Sequence, residues 1–259
     1  DWRGVFLGLA GVGLAASAAL YFVVPERQAD RKPLTKESLG DQVRDMCGIL
    51  RTPIFYRHVP LVVVSQGSFL AALTLWVGPW FRDVAGLERG SVATSLLIVA
   101  TTMTAGYLMT GATASRLNRR GFKTESIVLT GMLFFMAIQV PIVMCVQTGA
   151  VFIWALFAFF GTSGSVMFAA LSQHFPGHLM GRVSTMMNLL VFLLAFSLQW
   201  TIGAIINLFP TAAGGGFDPQ GYQAAFLFLL ALQGIAGLWY WGSGHFKPAL
   251  SVLEQPGPL

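Results

Sequence analysis

Charged side chains along this chain fall in clusters, separated by long neutral stretches in which apolar residues run on without alternating. Arg3 to Glu26 encloses 22 uncharged residues, Arg57 to Arg82 encloses 24, and Arg89 to Arg116 encloses 26. Each gap fits one membrane-crossing helix, because a hydrocarbon core of about 30 Å takes about 20 residues at 1.5 Å rise. Glu125 to Arg182 encloses 56, enough for two crossings and a turn, with Pro141 and Gln147-Thr148-Gly149 marking the fold-back. Arg182 to Asp218 encloses 35 and Asp218 to Lys247 encloses 28. The pattern predicts seven helices, at about 4–24, 59–81, 91–115, 125–146, 150–173, 181–208 and 222–243. Continuous runs argue against a transmembrane β-barrel, which alternates. The first run is longer than a signal-peptide core and no small-residue cleavage motif follows it, so it reads as a true span.

Between the first and second spans lies the one sizeable hydrophilic segment, 25–57. Ser38 with Asp41 resembles a helix-capping pair. Leu39, Val43, Met46 and Leu50 then recur at i, i+4, i+7 and i+11, one helical face. Two readings stay open: an amphipathic helix on the inner leaflet, ended near Pro53, or a solvated linker.

Composition agrees with the pattern. Of 259 residues 55% are hydrophobic and 10% charged, with mean hydropathy +0.67. A water-facing domain carries roughly 25% charge. Lys and Arg also set an orientation. Segment 25–57 holds seven, turn 116–123 holds four, and Arg182 and Lys247 add one each, against Arg3, Arg82 and Arg89 on the other side. The positive-inside rule therefore predicts an outside N-terminus and a cytoplasmic C-terminus in the cell membrane. The net charge of +5 is a topology signal and not a nucleic-acid footprint, since five acids lie among the seven bases of 25–57. Cys47 and Cys145 are expected near opposite faces, far beyond the ~7 Å Cα limit of a disulfide.

One span, a charged segment and a block of six make an odd arrangement, and the sequence begins at Asp1, almost directly in a helix. Asp1-Trp2-Arg3-Gly4-Val5-Phe6 resembles the Gly-Trp-Arg-x-x-Phe opening of the sixth helix of major facilitator superfamily permeases, and Pro25-Glu26 resembles that helix's exit. Gly111-Ala112-Thr113-Ala114-Ser115-Arg116-Leu117-Asn118-Arg119-Arg120 resembles the family's Gly-x-x-x-Asp-Arg-x-x-Arg-Arg loop signature, with Ser115 standing where the acid belongs. Phe175-Pro176-Gly177-His178-Leu179-Met180-Gly181-Arg182 is similar to the short Pro-x-x-x-x-Gly-Arg turn between the tenth and eleventh helices. The resemblance implies an all-α membrane protein with seven transmembrane helices, half of a major-facilitator bundle with 3+3 inverted repeats. Its parts would be 1–24 (last helix of an N-terminal half), 25–57 (central cytoplasmic loop), 58–245 (six-helix C-terminal half) and 246–259 (cytoplasmic tail). The implied activity is secondary transport of a small solute by alternating access. The implied partners are that solute, the lipid bilayer and the missing N-terminal half; no nucleic acid, cofactor or metal is called for.

By the same resemblance, spans 59–81 and 150–173 line the central cavity. In the first, Gln66, Phe69, Leu73, Trp76 and Trp80 share a face joining an amide to aromatics, suited to a hydrogen bond and a stacking wall. Trp80 reads instead as outer aromatic belt, and Trp76 is open to either reading. A deep amide such as Gln66 faces protein or a water-filled cavity. In the second, Trp154, Ala158, Gly161, Ser165 and Phe168 form a face with Thr162 and Ser163 beside it; this small-residue cluster serves close packing or a bend around a ligand. Asn188, Phe192, Ala195 and Gln199 form a stripe, for inter-helix bonds or cavity lining. Thr101, Thr102 and Thr104 are weaker candidates, able to bond their own backbone. At the loop signature, Gly111 would allow close helix approach, Arg116, Arg119 and Arg120 would sit at a helix C-terminus where the dipole favours cations, and the loop would brace an inner gate. The alternative is a plain positive anchor. Arg182, at a helix start, would pair with a lipid phosphate or a carbonyl.

No Asp, Glu, Lys, Arg or His lies deep in any predicted span, so a titrating carboxylate for proton coupling would belong to the missing half. His58, His174, His178 and His245 are expected at cytoplasmic helix ends. His174 and His178 at i, i+4 lack a third ligand nearby. Two other classes compete. Gly161-Thr162-Ser163-Gly164 matches the Gly-x-Ser-Gly of rhomboid-type intramembrane proteases, but the last two spans lack the histidine that chemistry needs. A seven-helix receptor fits the span count alone, and a retinal protein fails because Lys247 lies beyond the last span. No Gly-x-x-x-x-Gly-Lys loop is present to power transport by ATP.

Overall fold

The computed structural model describes residues 2–23, 38–210 and 215–245. Residues 25–37 of the expected central loop, with Pro25-Glu26, and the expected tail 246–259 lie outside them. The chain divides into two units at Gln42/Val43. The first carries α1 (Trp2–Val23), a single apolar helix long enough to cross a membrane. Helix α2 (Leu39–Leu50) starts with Ser38 Oγ accepting from Gly40 N at 3.2 Å, as its capping residue predicts.

The second unit holds six long helices: α3 (Pro53–Asp83), α4 (Arg89–Arg119), α5 (Thr124–Val143), α6 (Ala150–Ser172), α7 (Leu179–Ile206) and α8 (Pro219–Gly242). With α1 they make seven transmembrane helices, and no strand occurs among the described residues. Helix ends follow local chemistry. Pro53 and Pro219 sit in the first turns of α3 and α8, and the Asp218 carboxylate caps α8 by accepting from Gln220 N at 2.7 Å. The turn between α5 and α6 uses positive φ at Cys145 (52°) and Gly149 (69°). One end of the unit carries α2 and the Arg-rich turn after α4, and is called the basic end below. The far end carries the turns after α3, α5 and α7.

Helices α3–α5 and α6–α8 form two inverted three-helix repeats, and the packing shows the exchange. Helix α3 lies on α7 as α6 lies on α4; α3 meets α8 as α6 meets α5; α5 and α8 meet each other. The first helix of each repeat is broken mid-span. A π-turn covers Ala72–Trp76 in α3 and a 3₁₀ turn covers Thr162–Gly164 in α6. Such turns commonly mark functional bends.

Two apolar clusters fill the bundle. The far-end cluster is aromatic, with Trp80 and Trp154 rings 5.6 Å apart and Phe69, Phe135 and Phe157 packed beneath. Trp80 and Trp76 were expected partly as aromatic belt. Instead Trp80 is fully buried and Trp76 nearly so, because Trp80 packs on Trp154 of α6 while Trp76 bonds Gln199 of α7 and packs on Tyr222 of α8. Among the residues whose burial is described, the exposed tryptophans are Trp200, Trp239 and Trp241. The basic-end cluster is aliphatic and takes in Ile49 of α2. Helix α2 therefore docks on protein through Ile49, while Val43, Met46 and Leu50 of the predicted face point outward. Arg182 was expected to seek a lipid phosphate or a carbonyl; it pairs with the Asp45 carboxylate, one turn before Ile49.

Lipid tails are as apolar as leucine, so helices in a membrane associate by close packing of small residues. A Cβ at Gly106 of α4 would lie 2.8 Å from the Phe159 carbonyl of α6, and one at Gly131 of α5 would lie 2.5 Å from Ser163 Cβ. Gly111 does not have the close-approach role expected of it: a Cβ there meets nothing within 4 Å.

Candidate functional site

A cleft of about 300 Å³ opens on one side of the bundle, midway along four helices. Gln66 and Leu70 (α3), Tyr107 (α4), Ser165 and Phe168 (α6), and Asn188 and Phe192 (α7) line it. Five of the residues picked out in the sequence, Gln66, Ser165, Phe168, Asn188 and Phe192, thus meet in one place. Tyr107 was missed because it is the lone phenol on a threonine-rich helix and matched no stripe; its sequence signal was a mid-span hydroxyl.

The cleft is built around a crossing of the two broken helices. Gln66 is buried and donates from Nε2 to the Gly161 carbonyl at 2.8 Å. That carbonyl is reachable because the helix tightens to 3₁₀ one residue later, and because neither Gly161 nor Gly164 carries a Cβ. A methyl at Gly164 would overlap the Gln66 amide, and one at Gly161 would overlap the Phe69 ring. The small-residue cluster therefore gives the close packing, and the helix tightens within it beside the cleft. Ser165 Oγ donates to the Thr162 carbonyl at 2.7 Å, closing the turn. Asn188 is exposed in the cleft wall, and Phe168 and Phe192 supply apolar surface. No charged side chain lines the cleft.

The other candidates lie elsewhere. Phe69 is fully buried, edge-on to Phe135 at 5.9 Å. Thr162 is buried and bonds to the Phe159 carbonyl (2.7 Å) and Thr110 Oγ1 (3.1 Å). Ser163 points the opposite way from Ser165, toward Gly131 of α5. Gln199 and Trp76 tie α7 to α3 nearer the far end: Gln199 Nε2 donates to Thr74 Oγ1 at 2.8 Å, and Trp76 Nε1 to the Gln199 carbonyl at 3.2 Å. Thr101, Thr102 and Thr104 each bond the carbonyl four residues back.

At the basic end, Gly111, Arg116 and Arg119 remain within α4 and Arg120 caps it, all exposed. Asn118 and Thr124 exchange hydrogen bonds across the turn at 2.9 and 3.1 Å. His58, expected at a helix end, is buried: its Nδ1 meets the Ile54 carbonyl at 2.9 Å and its Nε2 meets Glu125 of α5 at 3.2 Å. His174 Nδ1 lies 2.9 Å from the Ala170 carbonyl. At the far end Asp83, unnoticed in the sequence, accepts from Tyr222 OH at 2.8 Å and Phe217 N at 3.2 Å, clasping α3 to α8. No cluster of metal-ligating side chains occurs among the described residues.

A broken-helix pair crossing beside a neutral cleft, inside two inverted three-helix repeats, is a transporter's architecture. The model of the Major Facilitator Superfamily matches residues 1–199, from α1 well into α7. The chain belongs to the major facilitator superfamily. It is a multi-pass membrane protein of a transporter family, which does not favour the protease or receptor readings. No curated protein matches it significantly.

Proposed function

We propose that this chain forms the C-terminal half, with one preceding helix, of a secondary transporter that moves a small uncharged solute by alternating access. The cleft of Gln66, Tyr107, Ser165 and Asn188 is its share of the central site. The carrying observation is convergence: four helices from both repeats each turn a polar side chain into one mid-depth opening that has no charge. An ion there would lack a counter-charge from this half, so the solute is neutral and amphiphilic, with an apolar or ring face for Phe168 and Phe192 and hydrogen-bonding groups for Asn188 and Tyr107. A second six-helix half across the cleft completes the pathway, and residues 1–259 reconstituted alone carry no flux. The arginines support a cytoplasmic basic end, with Arg116, Arg119 and Arg120 as part of the inner gate.

Aqueous access to the cleft tests this without knowledge of the solute. With both native cysteines replaced by serine, N188C and Y107C should react readily with a membrane-impermeant maleimide in open vesicles. L238C, on the outward face of α8, should not. Equal, slow labelling of all three would refute a water-filled cavity.

A further inference from the structure

A second cleft, of about 370 Å³, lies between α4, α5 and α6 and shares no lining residue with the first. Its walls are nearly all apolar, with the rings of Phe134 and Phe160 stacked 5.2 Å apart and 28° from parallel. Its deep end, at mid-span, holds Ser163. That residue is 5% exposed, and its Oγ has no hydrogen-bond partner. The local backbone explains the orphan. A serine in a helix normally bonds the carbonyl three or four residues back. Here the Phe159 carbonyl is taken by the Thr162 hydroxyl, and the 3₁₀ turn shifts the remaining acceptors. Thr110 of the α4 wall bonds Thr162 instead.

The shallow end is bounded by Leu117 and Phe122, flanking the basic turn. Met109 and Thr113 of the wall continue along α4 to Arg116 and Arg120 at i, i+4, i+7 and i+11, one helical stripe. Both arginines are exposed and make no ion pair among the described residues. From Met109 to Arg120 the helix advances about 16 Å. The cleft thus has a cationic mouth, an apolar shaft and one unmet hydroxyl at its floor.

We infer that this cleft is a binding site for a single-chain amphiphilic anion. Its acidic group sits at Arg116 and Arg120, its apolar body lies along Phe134 and Phe160, and a hydrogen-bonding atom near its far end meets Ser163. The ligand reaches the site from the inner leaflet, and the site is separate from the solute cleft of the transport pathway, so either reading can fail alone.

Binding of radiolabelled dodecanoate to the purified chain in phosphatidylcholine nanodiscs, measured above empty nanodiscs, tests it. Dodecanoate should bind saturably at one per chain, and dodecyltrimethylammonium should not compete. R116Q/R120Q should weaken binding about tenfold. S126W, which fills the cleft from its exposed α5 wall, should abolish it with helical content and the thermal unfolding midpoint unchanged. 12-Hydroxydodecanoate should bind more tightly than dodecanoate, and that advantage should vanish in S163A. Equal competition by anion and cation, or unchanged binding in a folded S126W, would overturn the site. Equal affinity of the hydroxylated and plain chains in the wild type would overturn the role of Ser163.

Discussion

Replacing Gln139 and Gln233 by leucine, singly and together, probes the α5–α8 contact where the two repeats exchange. Each amide is 1% exposed. Gln139 Nε2 donates to Gln233 Oε1 at 3.0 Å and Gln233 Nε2 to Gln139 Oε1 at 2.8 Å, while each also bonds the carbonyl four residues back, Phe135 or Leu229. The pattern is the same from either side, as an exchange of repeats requires. A single Gln→Leu change removes two cross-helix bonds, at ~0.6 kcal/mol each in membrane helices. It also strands the partner's Oε1, which adds about 1 kcal/mol. Each single variant should therefore cost ~2 kcal/mol. The double variant strands nothing and keeps apolar shape, so it should cost about 1 kcal/mol, roughly 3 below the sum of the singles. Unfolding by dodecyl sulfate in mixed micelles, followed by the emission of buried Trp80 and Trp154, measures all three. Additive costs, with the double near 4 kcal/mol, would refute the pairing and the repeat exchange built on it.

Gly164→Ala should displace the Gln66 amide from the Gly161 carbonyl and cost about 1–3 kcal/mol in the same assay, whereas Gly111→Ala, with open space around it, should be neutral or stabilise by up to ~1 kcal/mol. Asp45→Arg should raise hydrogen exchange in α2 several-fold by setting two cations against each other, and Asp45→Arg with Arg182→Asp should restore protection; failure of the double reversal would mean that Ile49 alone holds the helix.

The seven spans were legible because a charge in hydrocarbon costs far more than any local preference, so the neutral gaps had to be the crossings. Boundaries moved where a charge found a partner. Helix α3 begins at Pro53 rather than near 59, since His58 is met by Glu125 and the Arg57 guanidinium stacks 4.9 Å over the Tyr240 ring. The site was half legible. A helical wheel assumes 3.6 residues per turn, and over an unbroken stretch it served: Asn188 and Phe192, one turn apart on α7, do share the cleft. It failed wherever the helix departs from that period. The 3₁₀ turn at Thr162–Gly164 sends Ser163 to one side and Ser165 to the other, so residues read as neighbours line two different clefts. The π-turn at Ala72–Trp76 likewise turns Trp76 into the core, away from Gln66.

Both breaks fall in the first helix of a repeat, and each is stitched to a neighbour by side-chain hydrogen bonds. Thr74, in the π-turn, takes the Gln199 amide of α7; Thr162, in the 3₁₀ turn, takes the Thr110 hydroxyl of α4. Those are the two pairings, α3 with α7 and α6 with α4, that repeat exchange interconverts. A bend held by a few side-chain bonds can straighten when those bonds exchange, without unpacking the aromatic core at one end or the aliphatic cluster at the other. If the chain changes shape as the proposed function requires, the geometry puts the change at these two stitches. The Gln66–Gly161 bond lies in the wall of the first cleft, where the proposed solute would bias the bend of α6.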